Sequence, residues 1–266
     1  MQNWGIFDSV KEYRKYLDLL YILTWRDIKI KYKQSIMGFM WAIFMPLLIV
    51  AAGMLVRYAF SKLSGEPLKI EDIAAVSVKA IPWAFFVSSI RFATLSMISN
   101  SDLVTKIYFP RELFPLSAVI SQFFDFVVAS ITITFILGFM DIGLSLHLFW
   151  IPILIGLLFL FVLSCGIMLS AFALFFRDVK YIVEVFLTFG IFFTPVFYEV
   201  ELFREWSFIL LLNPIAPILE GINFCVVKHQ VPDIGWLAYS AFASLTTFVL
   251  AYYIFKKLEP SFAESI

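Results

Sequence analysis

LFWIPILIGLLFLFVLSCGIMLSAFALFF, residues 148–176, contains no acidic or basic side chain. About 20 apolar residues cross the hydrocarbon of a bilayer, so a run of this length reads as a transmembrane helix. Residues 39–60, 73–99, 116–140 and 236–255 meet the same requirement directly or nearly so. Residues 182–198 form a shorter sixth run that carries Glu184 near its start. Composition agrees: 62% of the 266 residues are hydrophobic and 15% charged. Soluble domains sit nearer half apolar and about a quarter charged. One core of this size cannot hide the excess, and lipid is its natural solvent.

Residues 206–227 are long enough for a further span but are interrupted by Asn213-Pro214, Pro217, Glu220 and Gly221. Proline removes a backbone donor and clashes with the preceding turn, and broken helices at membrane depth survive only inside protein or beside water. Two half-helices that dip in and return to the same side are expected. Charge placement favours that arrangement over a seventh span. With the N-terminus inside, the inside segments hold Lys11, Arg14, Lys15, Arg26, Lys29, Lys31, Lys33, Lys106, Arg111, Arg177, Lys180, Lys256 and Lys257. The outside loops hold only Lys62, Lys69, Arg204 and Lys228. A seventh span would put Lys256 and Lys257 outside, against the positive-inside rule. Both termini are therefore expected in the cytoplasm. The first long apolar run begins near Phe39, so no cleavable signal peptide is expected.

The expectation is an all-α integral membrane protein of six transmembrane helices. It adds an N-terminal amphipathic interfacial helix and a re-entrant helical pair before the last span. Residues 1–38 form a polar segment, and residues 39–266 a single membrane domain with a connecting loop at 100–115. Between Val10 and Thr24, Tyr13, Leu17, Leu20 and Tyr21 recur at helical spacing opposite Lys11, Arg14, Lys15 and Asp18, as in a helix lying in the interface. From Arg26 to Lys33 the pattern alternates instead, which points to a strand. No partner strand is evident, so the helix reading is kept.

Chemistry within the chain has few candidates. His147 and His229 lie in short outside segments far from any nucleophile, and no carboxylate pair suits glycoside chemistry. No phosphate-binding GxxxxGK[ST] loop occurs. Leu63-Ser64-Gly65-Glu66 resembles an ATPase signature loop, but stands alone in an outside loop. Cys165 and Cys225 lack metal or disulfide spacing and read as packing residues. A net charge of zero gives no reason to expect nucleic acid.

Other features are more informative. In the inside loop, Asn100 or Ser101 can cap a short helix whose apolar face is Leu103, Val104, Ile107 and Tyr108 and which Pro110 ends, ahead of Arg111. It reads either as a turn resting on lipid headgroups or as a docking helix for a cytoplasmic partner. Arg91 and Asp125 sit in consecutive spans, where ionisable groups are costly. They read as a structural pair within the subunit or as a polar face on a conduit. Lys79 and Arg57 lie near outer ends and can snorkel. Trp83, Trp150, Trp236, Tyr252 and Tyr253 fit interfacial belts. Phe192-Phe193-Thr194-Pro195-Val196-Phe197-Tyr198 gathers aromatics that suit either packing or the weakly apolar faces of sugar rings.

These motifs resemble those of a known family. Residues 25–35, WRDIKIKYKQS, followed by Gly38 and Trp41, are similar to the opening motif of polysaccharide ABC-exporter permeases, and residues 103–112, LVTKIYFPRE, resemble their coupling-helix loop. Thr194-Pro195-Val196-Phe197-Tyr198, Leu212-Asn213-Pro214 and Glu259-Pro260-Ser261-Phe262-Ala263-Glu264 resemble three further landmarks in the same order. The O-antigen exporters resemble it most; capsule and teichoic-acid exporters share much of the pattern. The resemblance implies a homodimer working with two copies of an ABC ATPase subunit, which would bind ATP and Mg; no cofactor is implied on this chain. The cargo would be a polysaccharide on a polyprenyl-pyrophosphate carrier, crossing the bacterial inner membrane. Tyr13, Arg26, Lys29, Lys31 and Lys33 would form the cytoplasmic mouth that meets the pyrophosphate. Leu103, Val104, Lys106, Ile107, Tyr108, Pro110 and Arg111 would receive the ATPase stroke. Trp41, Phe44, Phe192, Phe193 and Tyr198 would line the passage. A membrane enzyme acting on lipid-linked glycan, or a channel or secondary carrier, are the competing readings.

Overall fold

The computed structural model describes residues 16–33, 37–65, 67, 69–106, 109–139, 142–143 and 145–264. Among them the regular elements are all helical: α1 (Leu17–Lys33), α2 (Met40–Ser64), α3 (Ile70–Ser96), α4 (Ser101–Lys106), α5 (Leu113–Phe139), α6 (Ile151–Phe175), α7 (Val179–Gly190), α8 (Ser207–Leu211), α9 (Ile215–Val226) and α10 (Ile234–Leu258). Short 3-10 turns precede α6, follow α7 and α10, and lead into α8. The alternating stretch from Arg26 to Lys33 is the second half of α1, not a strand. With no neighbouring strand to take its backbone groups, the helix satisfies them internally.

Among the described residues, five helices are long and apolar enough to cross a membrane unbroken: Met40–Leu63, Ile70–Ser96, Leu113–Phe139, Leu146–Phe175 and Ile234–Phe262. The run expected as the sixth span differs. It is α7, then a single 3-10 turn (Ile191–Phe193), then turns from Thr194 to Tyr198. The twelve α-helical residues rise about 18 Å, the 3-10 turn adds about 6 Å, and the chain continues in turns to Tyr198, beside which Glu199 pairs with Arg57 of α2. Pro195 forbids continuation, because a proline disfavours helical geometry at the residue before it. Thr194 accordingly takes an extended conformation (φ −123°, ψ 132°).

The segment after α7 forms the expected hairpin. At its two ends, Glu199 Oε1 accepts from Arg57 at 3.1 Å and Lys228 Nζ reaches Glu201 Oε1 at 3.2 Å, so both limbs start beside the α2–α3 connection. At its tip, Ser240 Oγ donates to the Pro214 carbonyl and Tyr239 Oη to that of Leu212, each at 2.8 Å. Ser240 lies six residues into α10, so the tip penetrates about 9 Å along it. Asn213 holds the turn in two directions. Its Oδ1 accepts from the Ile215 amide, starting α9, and its Nδ2 donates to Thr194 Oγ1 at 2.9 Å.

Burial ranks the helices. In the most apolar stretch of α3, 72% of residues are buried, against 12% in α2. Helix α3 is the axis: α2, α5, α6, α7 and α9 all pack on it, while α10 packs along α6 and α1 along α5. Between apolar helices in lipid no hydrophobic gain drives association, so close approach at small residues does. A Cβ on Gly166 would lie 2.8 Å from Ala93 Cβ, and one on Gly53 would lie 2.5 Å from Val76 Cγ1. Trp83, expected in an interfacial belt, is 4% exposed. It sits under the α3–α7 crossing, where Gly190 leaves room for its ring. A second apolar cluster lies at the α4 end of the bundle. There Leu23, Met97, Val104, Phe109, Leu113, Phe114, Ile167, Ala171, Leu174, Phe255 and Phe262 meet.

Candidate functional site

The connection between α3 and α5 is the first candidate. Helix α4 occupies Ser101–Lys106; Ile107 and Tyr108 lie outside the described residues, as does the Lys106 side chain. Asn100 does not cap it with its side chain, which donates back to the Ser96 carbonyl at 2.7 Å; its own carbonyl accepts from Leu103 and Val104. Of the expected docking face, Leu103 and Val104 are described. Val104 is buried in the second cluster and Leu103 packs against that cluster, leaving Asp102 and Thr105 exposed. The apolar residues of α4 hold it to the bundle. Pro110 is half-buried, and Arg111 donates to the Glu259 carbonyl at 2.6 Å while its guanidinium lies 5.8 Å from the Phe262 ring.

Helix α1 is the second. Tyr13 lies outside the described residues. Of the basic residues expected at a phosphate, Lys31 is already committed: its ammonium donates to Gln122 at 2.8 Å and pairs with Asp125, which also accepts from Tyr32. Burial, reinforced by the Asp125 carboxylate, pushes the Tyr32 phenol well above its ordinary pKa and keeps it a donor. Arg26 pairs with Asp27 at 2.8 Å, and Asp27 accepts from Ser117 on α5. Lys29 and Lys33 are exposed, Lys29 with its ammonium 5.4 Å from the Trp25 ring. Lys29 and Lys33 thus remain open to solvent, while Lys31 ties α1 to the third span.

The ionisable groups within the spans pair differently from expectation. Arg91 does not meet Asp125. It forms a bidentate pair with Glu184 of α7 (2.6 and 2.8 Å), and both side chains are nearly half exposed. Lys79 does not snorkel: it is buried against Glu220 of α9 at 3.0 Å and donates to the Tyr198 carbonyl at 2.8 Å. Arg57 likewise pairs with Asp72 and Glu199. Opposite charges in two apolar runs could have signalled the Lys79–Glu220 pair, because neither is tolerated alone at depth. Nothing in the spacing fixed which acid would meet which base.

The aromatic residues expected in the passage lie on the surface of the single chain. Trp41 and Phe44 meet edge-to-face at 5.7 Å at the start of α2, each 40% exposed. Phe192 and Phe193 are exposed at the end of α7, and Tyr198 Oη donates back to the Phe192 carbonyl at 2.9 Å. Among the described residues no group of His, Cys, Asp and Glu is arranged to hold a metal ion.

Residues 18–225 match the ABC-2 type transporter membrane family. The chain belongs to that family. The permease is similar to an O-antigen export system permease protein of Myxococcus xanthus, 29% identical over 97% of this chain and 98% of the relative. Two O-antigen export system permease proteins of Klebsiella pneumoniae are 28% and 30% identical, each over 93% of this chain and 94% of the relative. The permease is a multi-pass membrane subunit of an ABC exporter, a transporter and not an enzyme, and it works with an ATPase partner.

Proposed function

We propose that the permease exports polyprenyl-pyrophosphate-linked polysaccharide, with O-antigen as cargo, across the bacterial inner membrane. It acts as a homodimer with two ATPase subunits, both termini are cytoplasmic, and ATP and Mg are bound by the partner. The relatives' O-antigen export names, over nearly the whole chain, support the cargo. One structural observation carries the conduit. The Arg91–Glu184 pair is nearly half exposed on a face shared by α3 and α7, and an ion pair facing hydrocarbon is costly. A water-filled passage completed by a second copy removes that cost and also covers the exposed Trp41, Phe44, Phe192 and Phe193. Tyr198 closes the outer end of the same aromatic run.

The cationic mouth of the passage is Lys29 and Lys33 with Arg26; Lys31 anchors the helix that carries them. The loop around Leu103, Val104, Lys106, Ile107, Tyr108, Pro110 and Arg111 receives the ATPase. Co-reconstitution of the permease and its ATPase in vesicles tests this reading with lipid-linked O-antigen, capsule glycan and teichoic acid offered in turn. ATP-dependent accumulation of the O-antigen form on the far side is expected. Preference for either other glycan reassigns the cargo, and transport that needs an ion gradient instead of ATP refutes the exporter reading.

A further inference from the structure

The C-terminal landmark Glu259-Pro260-Ser261-Phe262 has no part in the export reading so far, yet it is firmly packed against the bundle. Phe262 is 0% exposed, with its ring 5.2 Å from that of Phe255 and 5.9 Å from that of Phe175. Its other neighbour is the Arg111 guanidinium, which reaches past it to the Glu259 carbonyl. A second tie runs beside the first. Lys256 Nζ lies 2.8 Å from Glu112 Oε1 and 3.0 Å from Glu259 Oε2. Arg111 and Glu112 belong to the loop that begins with α4.

Helix α4 has six residues, and a helix that short has no stability of its own. Its position is set by what it packs on: Val104 is 1% exposed, in the same cluster as Phe262, Phe255, Met97 and Leu174. The 3-10 turn Glu259–Glu264 touches both α4 and α6. A force applied to the exposed face of α4 therefore has a path into the last span that does not run along its own two covalent neighbours, α3 and α5.

We infer that residues 256–262 are a strut that positions the ATPase-docking helix and carries its displacement into α6 and α10, with Phe262 and Lys256 as positioning residues. The inference rests on α4 being the ATPase contact. Two variants of the full permease in complex with its ATPase test it, Phe262→Ala and Lys256→Gln. The first empties a core site, while the second breaks both ion pairs and leaves the core filled. The readouts are the amount of assembled complex, ATP turnover, and polysaccharide exported per ATP hydrolysed. Both variants should assemble and hydrolyse ATP while export per ATP falls about tenfold, within the range of ordinary site-to-site coupling. Phe262→Leu should recover most of it. A purely structural role would lower export and hydrolysis together, in step with the amount of complex, and would overturn the inference. So would export per ATP at the wild-type ratio in Lys256→Gln. If the unaltered complex exports nothing with ATP, the exporter reading itself fails, and the strut with it.

Discussion

Replacing Lys79 by Met should loosen the re-entrant hairpin before it affects the rest of the bundle. The side chains of Lys79 and Glu220 are 1% and 7% exposed, and the ammonium also satisfies the Tyr198 carbonyl. Removing one partner of a buried pair leaves an uncompensated charge and costs about 3–5 kcal/mol. Removing both charges, in Lys79→Met with Glu220→Gln, leaves mainly the Tyr198 carbonyl short of a donor, at about 1–3 kcal/mol. The double variant should thus be less damaged than the two single changes summed, by about 3 kcal/mol or more. The loss should be local. Asn213, Tyr239 and Ser240 still hold the tip of the hairpin, while only Lys79 ties the middle of α9 to α3 by charge. Hydrogen exchange of α9 in a lipid nanodisc, alongside thermal unfolding, measures both quantities. Single variants costing less than about 1 kcal/mol, or strict additivity in the double, would refute the reasoning and mean that the pair is hydrated.

Asp125→Asn should release α1 from α5, speeding amide exchange across Leu17–Lys33 while leaving α6 and α10 unchanged. The Tyr32 tie has a pH signature. Its donor form is the protonated phenol and its pKa is raised, so the tie should survive past pH ~10, where a free tyrosine ionises, and fail only above that. Faster α1 exchange in wild type than in Tyr32→Phe at pH ~10 would contradict it. Gly53→Ala should cost about 1–3 kcal/mol through overpacking, because the added Cβ meets Val76 at 2.5 Å and Phe197 at 2.7 Å. Gly156→Ala, whose Cβ meets nothing within 4 Å, should instead stabilise by up to about 1 kcal/mol; thermal shifts of the two in one detergent give the comparison. Thr188→Cys, one turn beyond Glu184 on the exposed face of α7, should react with a charged, lipid-insoluble thiol reagent in the assembled complex if that face is wet, and resist it if lipid covers it.

The last span and the four longest runs were legible because length and apolarity are summed properties that no neighbour can reverse. The hairpin was legible for a related reason: Asn213-Pro214 forbids a continuous helix wherever it lies. In the sixth run it was the break that was missed, because apolarity extends past Pro195 while α-helical geometry does not.

Pairing was beyond the sequence. Arg91 and Asp125 announced that charge at depth must be accommodated, whereas Lys79 was expected to snorkel and Glu220 only to interrupt a span. Which partner depended on helix rotation and crossing, set by small contacts such as Gly166 on Ala93 and Gly190 under Trp83. The same rotation turned Val104 inward, where it anchors α4 to the bundle. Sequence alone therefore determined a helical membrane permease, its long apolar helices and its break at Asn213-Pro214, because those follow from solvation of the chain. Tertiary packing decided which charges neutralise one another and which face of each helix remains free, because those depend on angles between helices that no single helix encodes.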